Sequence, residues 1–251
     1  MPNPAADFHS PSARIALRWF AEALSVWRRA PFKLSLLALA PLLVEGALQQ
    51  IPVVGVVLSK FFVPVLIFGS TIGVHDLMCD KPLRLSCLFD GFRAERFAAC
   101  ALLTVWTMSI FAGQTMIAFL VYGRGVLDAV LFGHVAAHAE LFTRLFAEVL
   151  IVPGIVFATA LTLSAPLMLF DGLTPTLAVV ESLRRVFGAA RPFALLALID
   201  ASIVGVSLAL PWGFALLLAF LVCTVGLNVV IWKSLKSGTA AIASQTTPGR
   251  E

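Results

Sequence analysis

Six stretches of the chain are apolar over close to the length of a membrane-crossing helix, at about residues 32–49, 61–77, 97–122, 149–170, 193–210 and 212–232. A hydrocarbon core needs about 20 such residues per helix. Inside lipid a segment must satisfy its own backbone N–H and C=O groups, which leaves helices and closed barrels as the options. Runs of this length select helix. The runs also explain why 60% of the residues are hydrophobic and only 13% charged, against about 25% charged in a soluble domain. The predicted fold is therefore all-α and polytopic, with six transmembrane helices paired as three hairpins. Residues 1–9 read as a flexible N-terminus, 10–232 as the membrane domain and 233–251 as a disordered cytoplasmic tail. No long polar insertion leaves room for a separate soluble domain.

A shorter, amphipathic segment precedes each hairpin. In the first, Ser10-Pro11 supplies a helix start, and Arg14, Arg18, Glu22, Ser25, Arg28 and Arg29 share one arc of roughly 120°. Ile15, Trp19, Phe20, Leu24, Val26 and Trp27 occupy the rest. Such a helix can lie in the membrane interface or pack on the protein's own cytoplasmic end; periodicity does not choose between them. In the second, after Asp80-Lys81-Pro82, Leu85, Leu88, Phe89 and Phe92 fall at helical spacing, with Ser86, Asp90 and Arg93 turned away. The third starts at Thr174-Pro175 and carries Glu181, Arg184 and Arg185. The segments begin at Pro11, Pro82 and Pro175, and lead after 21, 15 and 18 residues to a phenylalanine that opens a span: Phe32, Phe97 and Phe193. This is parallel repetition of similar units, which could pack with pseudo-threefold symmetry, and it differs from the inverted repeats of many transporters.

Charge sets the expected orientation. On the side of both termini lie fifteen Lys and Arg residues, against three (Lys60, Arg124 and Arg144) on the other, and an excess of this sign marks the cytoplasmic side. Trp19, Trp27 and Trp232 near the inner boundary and Tyr122 and Trp212 near the outer one agree with that placement. The net charge of +4 is scattered between apolar runs, so no nucleic-acid partner is expected. Cys79, Cys87, Cys100 and Cys223 form no C-x-x-C pair and read as free thiols. The first thirty residues lack a cleavable signal pattern, so span one is expected to serve as its own insertion signal.

Phe20 to Phe32, the Ile51-Pro52-Val53-Val54-Gly55 turn, the exit from span two over Gly69 to Pro82, and Pro166 to Phe193 together carry a family likeness. At these places the chain resembles uncharacterised six-span bacterial inner-membrane proteins related to the membrane domain beside some glycerophosphodiester phosphodiesterases. The resemblance covers most of residues 15 to 235. It implies a six-span fold in the cytoplasmic membrane and brings no active site with it.

Enzyme signatures fail one by one. Asp90-Gly91-Phe92-Arg93-Ala94-Glu95-Arg96 approaches the D-G-x-x-A-R opening of membrane phosphatidyl-alcohol transferases, but Glu95 breaks it and span three supplies no further acid for a metal. His134 and His138 stand four apart, with Asp128 and Glu140 nearby, yet without an H-E-x-x-H core they read as loop histidines. No metal, cofactor or catalytic residue is expected. Intramembrane polar groups are the better candidates, since each ionisable one costs about 2.5 to 3.5 kcal/mol to insert. Asp200 in span five, Asn228 in span six and Glu45 in span one are the candidate binding groups, with Asp200 and Asn228 expected to meet across the last hairpin. Arg14, Arg18, Arg28, Arg29, Arg184, Arg185 and Arg191 are the candidate lipid-facing cations.

Two functions remain. One is a membrane-organising or accessory protein that engages anionic lipid, a protein partner or a second copy of itself at the cytoplasmic face. The alternative is a transporter or lipid-handling protein with a cavity between the hairpins. A fluorescent reporter fused after Lys236 should be active in the cytoplasm, and a periplasm-dependent phosphatase fused after Pro52 should also be active; the opposite pattern reverses the orientation.

Overall fold

The computed structural model describes residues 12–132, 135–141 and 153–245, all helix, turn or coil with no strand among them. Helix α1 is Ser12–Arg29. The first hairpin is α2 (Pro31–Leu48) with α3 (Val54–Met78). After a 3-10 helix over Leu85–Phe92, α4 (Ala94–Tyr122) leads through α5 (Gly125–Phe132) and a second 3-10 stretch (Val135–Leu141) toward α6 (Pro153–Phe170). Then come α7 (Pro175–Gly188), α8 (Ala190–Ala209), α9 (Gly213–Thr224) and α10 (Leu227–Gln245). Six helical stretches are long and apolar enough to cross a membrane, the sixth running from Gly213 to Ser237 through α9 and into α10. The chain is an all-α, multi-pass membrane protein.

Two boundaries differ from the sequence reading. Span two begins at Val54, seven residues before the expected 61, because the turn before it is tight: a Cβ on Gly55 would stand 1.7 Å from the Leu48 carbonyl oxygen. Val53 takes a left-handed φ of 57° there, held by its N–H donating to the Leu131 carbonyl at 2.7 Å. At the other end, helix continues through Gln245, beyond the 233 at which the polar composition suggested a disordered tail. Lys236 anchors that continuation by pairing with Asp171 at 2.7 Å. The start of the expected fourth span, 149–152, and residues 1–11 lie outside the described residues.

The second span of each hairpin occupies the centre. Helices α3, α6 and α10 touch one another, and near the end where they exit each contributes one ring to a shared cluster. His75 stacks on Phe170 at 4.0 Å, Trp232 lies 5.1 Å from Phe170, and His75 lies 5.9 Å from Trp232. Val229, Val230, Ile231 and Trp232 are buried consecutively, which a helix achieves only when protein surrounds it on all sides. Leu34, Leu37, Val65, Val74, Leu163 and Leu167 fill the same core. The first spans lie around it, each turning a few residues into the core (Leu34 and Leu37, Cys100 and Leu103, Phe193 and Leu196) while side chains such as Leu43, Leu120 and Leu198 are exposed.

The segment ahead of each hairpin packs on the second span of the preceding one. The Leu85–Phe92 segment runs along α3, α7 packs on the last part of α6, and α1 closes the cycle against α8, α9 and α10. Helix α1 buries Ala16, Trp19, Ala23 and Val26. Trp19 meets the Phe193 ring at 5.3 Å and donates to Ser234 Oγ at 3.2 Å. Its apolar face is thus spent on protein, which decides between the two placements left open by periodicity.

The second of these segments departs from expectation. It is a 3-10 helix, with 3.0 residues per turn, so positions 85, 88 and 91 align in place of 85, 89 and 92. Cys87, Leu88, Asp90 and Gly91 are buried, while Phe89 is exposed and Asp90, expected to face away, is 8% exposed and pairs with Arg93 at 2.8 Å. The packing is backbone to backbone. A Cβ on Gly69 would lie 2.3 Å from the Leu88 carbonyl oxygen, and one on Gly91 would lie 2.6 Å from that of Val65. Arg93 therefore sits beside the middle of α3, away from the exit end with which the sequence count grouped it.

Gly69→Ala tests this contact. Alanine is worth up to about 1 kcal/mol over glycine in a helix, but overpacking costs about 1–3 kcal/mol, and here the obstruction is backbone that cannot rotate away. Thermal melting in detergent should show a loss of stability. Gly205→Ala, on α8 with nothing within 4 Å of the new methyl, should be neutral or stabilising.

Candidate functional site

The polar groups of the spans fall into separate sites, and each is explained by its neighbours. Glu45 sits about one turn before the α2–α3 loop and Lys60 nearly two turns after it, facing each other across the hairpin. They form an ion pair in which both side chains are about three-quarters buried. Gln49 donates to the same carboxylate at 3.0 Å, and the Lys60 ammonium lies 5.0 Å from the centre of the Phe111 ring. A charge on span two thereby ties spans one, two and three together, so Glu45 is a structural group here.

Asn228 and Asp200 do not meet. The Asn228 side chain donates through Nδ2 to Thr71 Oγ1 at 3.2 Å, and its amide oxygen Oδ1 accepts from the Val229 N–H at 2.8 Å. The side chain bridges α10 to α3 just after the break at Val225–Gly226, where a helix start leaves N–H groups unsatisfied. Asp200 lies on α8 with Oδ1 buried and unpartnered among the described residues. The expected pairing rested on height along the spans. Height fixes neither the azimuth of a side chain nor which helices are neighbours.

A second break shows the same economy. Span four is interrupted over 161–163, and the Ser182 hydroxyl of α7 donates to the Ala160 carbonyl at 2.8 Å while accepting from the Leu163 N–H at 3.3 Å. One hydroxyl replaces the backbone bond that the break removes. Beside it, Glu181 accepts from Arg184 Nε and Nη2, each at 2.6 Å, and from Arg185 Nε at 2.7 Å. The Arg184 bonds, opposed by partial burial and helped by Arg185, hold the Glu181 carboxyl down at about 2. Arg185 is thus committed within the fold, while Arg184 keeps one exposed edge and Arg191 is exposed.

At the exit end of the central helices, Asp171 accepts from Trp232 Nε1 at 3.0 Å and from Lys236 Nζ. Burial pushes its carboxyl up, but these two bonds and the nearby charges of Lys236 and Arg185 outweigh that and bring it below the usual range. Arg29 pairs with Asp80 and Lys81 with Asp76, both at 3.2 Å. Arg14, Arg18 and Arg28 are exposed on α1. His138 contacts Asp128 at 2.8 Å and Glu140 at 3.8 Å. His134 lies outside the described residues, and among those described no three metal-ligating side chains come together. Burial raises the Cys87 thiol to about 11, too high for a thiolate nucleophile at neutral pH.

The sequence reading missed Thr71, Asp171, His75, Phe170, Ser182 and the Trp232 indole as polar or aromatic partners. One signal was present: His75-Asp76 and Phe170-Asp171 repeat an aromatic-acid pair at the ends of spans two and four, and Trp232-Lys233 changes the sign in span six. Comparison with family models, curated proteins and solved structures finds no match to the chain.

The unpaired carboxyl predicts a mutational outcome. Leaving a buried polar group unsatisfied costs about 1–3 kcal/mol, so Asp200→Leu should raise the melting temperature in detergent, and Asp200→Asn should change it little. A fall in membrane abundance for Asp200→Leu would mean that the carboxyl has a partner in the membrane.

Proposed function

We propose that this multi-pass membrane protein is a non-enzymatic organising or accessory component that holds anionic lipid against the cationic outer face of α1. The face itself carries the reading. Arg14, Leu17, Arg18, Ala21, Ser25 and Arg28 are exposed along one arc, while the opposite side of the helix is buried on α8, α9 and α10. A helix fixed to the protein by its apolar side presents its cations outward permanently, near the ends of the spans. Each Lys or Arg close to an anionic leaflet contributes about 1 kcal/mol.

The separation of the intramembrane polar groups favours this over transport. A cavity between the hairpins containing both Asp200 and Asn228 would have supported the transporter reading, whereas Asn228 bonds to Thr71, Asp200 Oδ1 has no partner among the described residues, and Val229 to Trp232 are packed at the exit end of the central helices. In this proposal the exit end of the spans faces the cytoplasm, as the basic residues suggest; with Arg93 and Arg96 left out of the count the excess is thirteen to three. The family resemblance, in which the chain is a six-span protein of a bacterial inner membrane, belongs to the same proposal.

The test is lipid retention by the purified full chain, followed by native mass spectrometry in mixtures of phosphatidylglycerol and phosphatidylcholine. The parent should enrich the anionic lipid. A variant carrying Arg14→Gln, Arg18→Gln and Arg28→Gln should lose up to about a hundredfold of that preference at low salt. Equal retention of both lipids by the parent would overturn the proposal.

A further inference from the structure

The three phenylalanines that open the odd-numbered spans have unequal surroundings. Phe193 is 1% exposed and packs on Trp19. Phe97 has the rings of Phe61 and Phe92 at 6.2 Å each. Phe32, at the same place in the first repeat, is 79% exposed with no ring against it among the described residues. The cyclic packing accounts for the difference in the third repeat, since α1 covers Phe193, while no element among the described residues is placed over Phe32.

What surrounds Phe32 is cationic. Lys33 follows it and donates one hydrogen bond, to the Leu83 carbonyl at 3.1 Å, leaving two of the three ammonium donors for another acceptor. That contact brings Lys33 to the 79–84 turn, where Arg84 is exposed. The same turn meets α1 through Arg29, which reaches the Leu77 carbonyl at 3.4 Å and Asp80 at 3.2 Å, and Arg28 is exposed beside it. Five cations (Arg28, Arg29, Lys33, Lys81 and Arg84) stand here against two carboxylates, Asp76 and Asp80, and each carboxylate already has a partner. The cations left over are Arg28, Lys33 and Arg84. Lys33 lies in the first turn of a helix apolar enough to cross the membrane, and Arg28, at the end of α1, and Arg84, in the 79–84 turn, flank that entry, the level at which lipid phosphates lie.

The geometry points to a bound anionic phospholipid at this corner, its phosphate on Lys33 and Arg84 and its glycerol and upper acyl chain laid against Phe32. The assignment rests on the proposed lipid-holding role and names the place where one lipid is held individually. The face of α1 attracts the leaflet with charge alone; this corner combines charge with an uncovered aromatic ring, as a headgroup with an attached chain requires. Guanidinium is suited to phosphate because its planar fork can bond two oxygens.

The experiment uses the full chain in detergent at low lipid ratio, with phosphatidylglycerol and phosphatidylcholine as probes and native mass spectrometry as the readout. The parent should retain one phosphatidylglycerol in preference to phosphatidylcholine. Arg84→Gln should weaken that retention by about fivefold, and Lys33→Gln with Arg84→Gln by about the square of that. Phe32→Ser should weaken retention of the diacyl lipid while leaving the weak binding of glycerol phosphate unchanged. Arg14→Gln with Arg18→Gln should leave the single retained lipid in place. Parent-like retention in the Arg84→Gln protein, with an unchanged melting temperature, overturns this site. If only the α1 variant loses lipid, the corner is wrong and the lipid-holding role stands; if no variant loses any, both fall.

Discussion

The bundle depends on the contact between three helices that are each the second half of a hairpin. Because α3, α6 and α10 meet at His75, Phe170 and Trp232, the first spans are pushed outward. Lipid gives little hydrophobic drive for helices to associate, so such contacts rely on close packing and on hydrogen bonds between helices. The structure supplies both. Gly69 admits the Leu88 backbone, and Asn228 joins α10 to Thr71 of α3. Trp232 and Lys236 join α10 to Asp171 at the end of α6.

The same constraint governs the two helix breaks in the central layer. A broken turn in a membrane exposes backbone donors and acceptors that have no water to bond, and each must find protein. Ser182 answers both sides of the break in span four with one hydroxyl. Asn228 answers part of the break in span six. Ser182 has no signature in the sequence and Asn228 stands out there only as a polar group within a span, and both serve the backbone inside the fold. Among the candidate cations, Arg29, Arg184 and Arg185 are engaged by carboxylates of the fold, whereas Arg14, Arg28 and Arg191 are exposed.

The spans were legible because length and apolarity alone determine them, and their pairing into hairpins followed from short connections such as 49–53. In the first preceding helix Trp19 and Val26 are buried and Arg14, Arg18 and Arg28 exposed, while the burial of Ala16 and Ala23 had no signal in the spacing. The Leu85–Phe92 segment was not legible, because its apolar positions fit a period of 3.6 while the chain adopts 3.0, and no local residue announces the change. Asp200 and Asn228 were misjoined because rise per residue locates a side chain along a span and says nothing of its direction around it. The Asn228–Thr71 bond joins residues 157 apart in sequence, and the Lys236–Asp171 pair 65 apart. Neither has a local signature. Glu45 stands out in span one as an ionisable group within an apolar run, and its partner, Lys60 across the hairpin, was visible only once both helices were placed.

The closure of the ring by α1 has a consequence for synthesis. Trp19 bonds to Ser234, 215 residues later, so the helix made first is covered by the span made last. At translation rates of about 5–20 residues per second, the buried face of α1 waits roughly 10 to 40 s for its partner. During that interval its tryptophan and alanines have only the membrane interface to shelter them, while the two later segments find their supporting span already inserted. The N-terminal helix is therefore a latch that shuts last, and the stretch of nascent chain between its emergence and that of α10 is the period in which this protein is open.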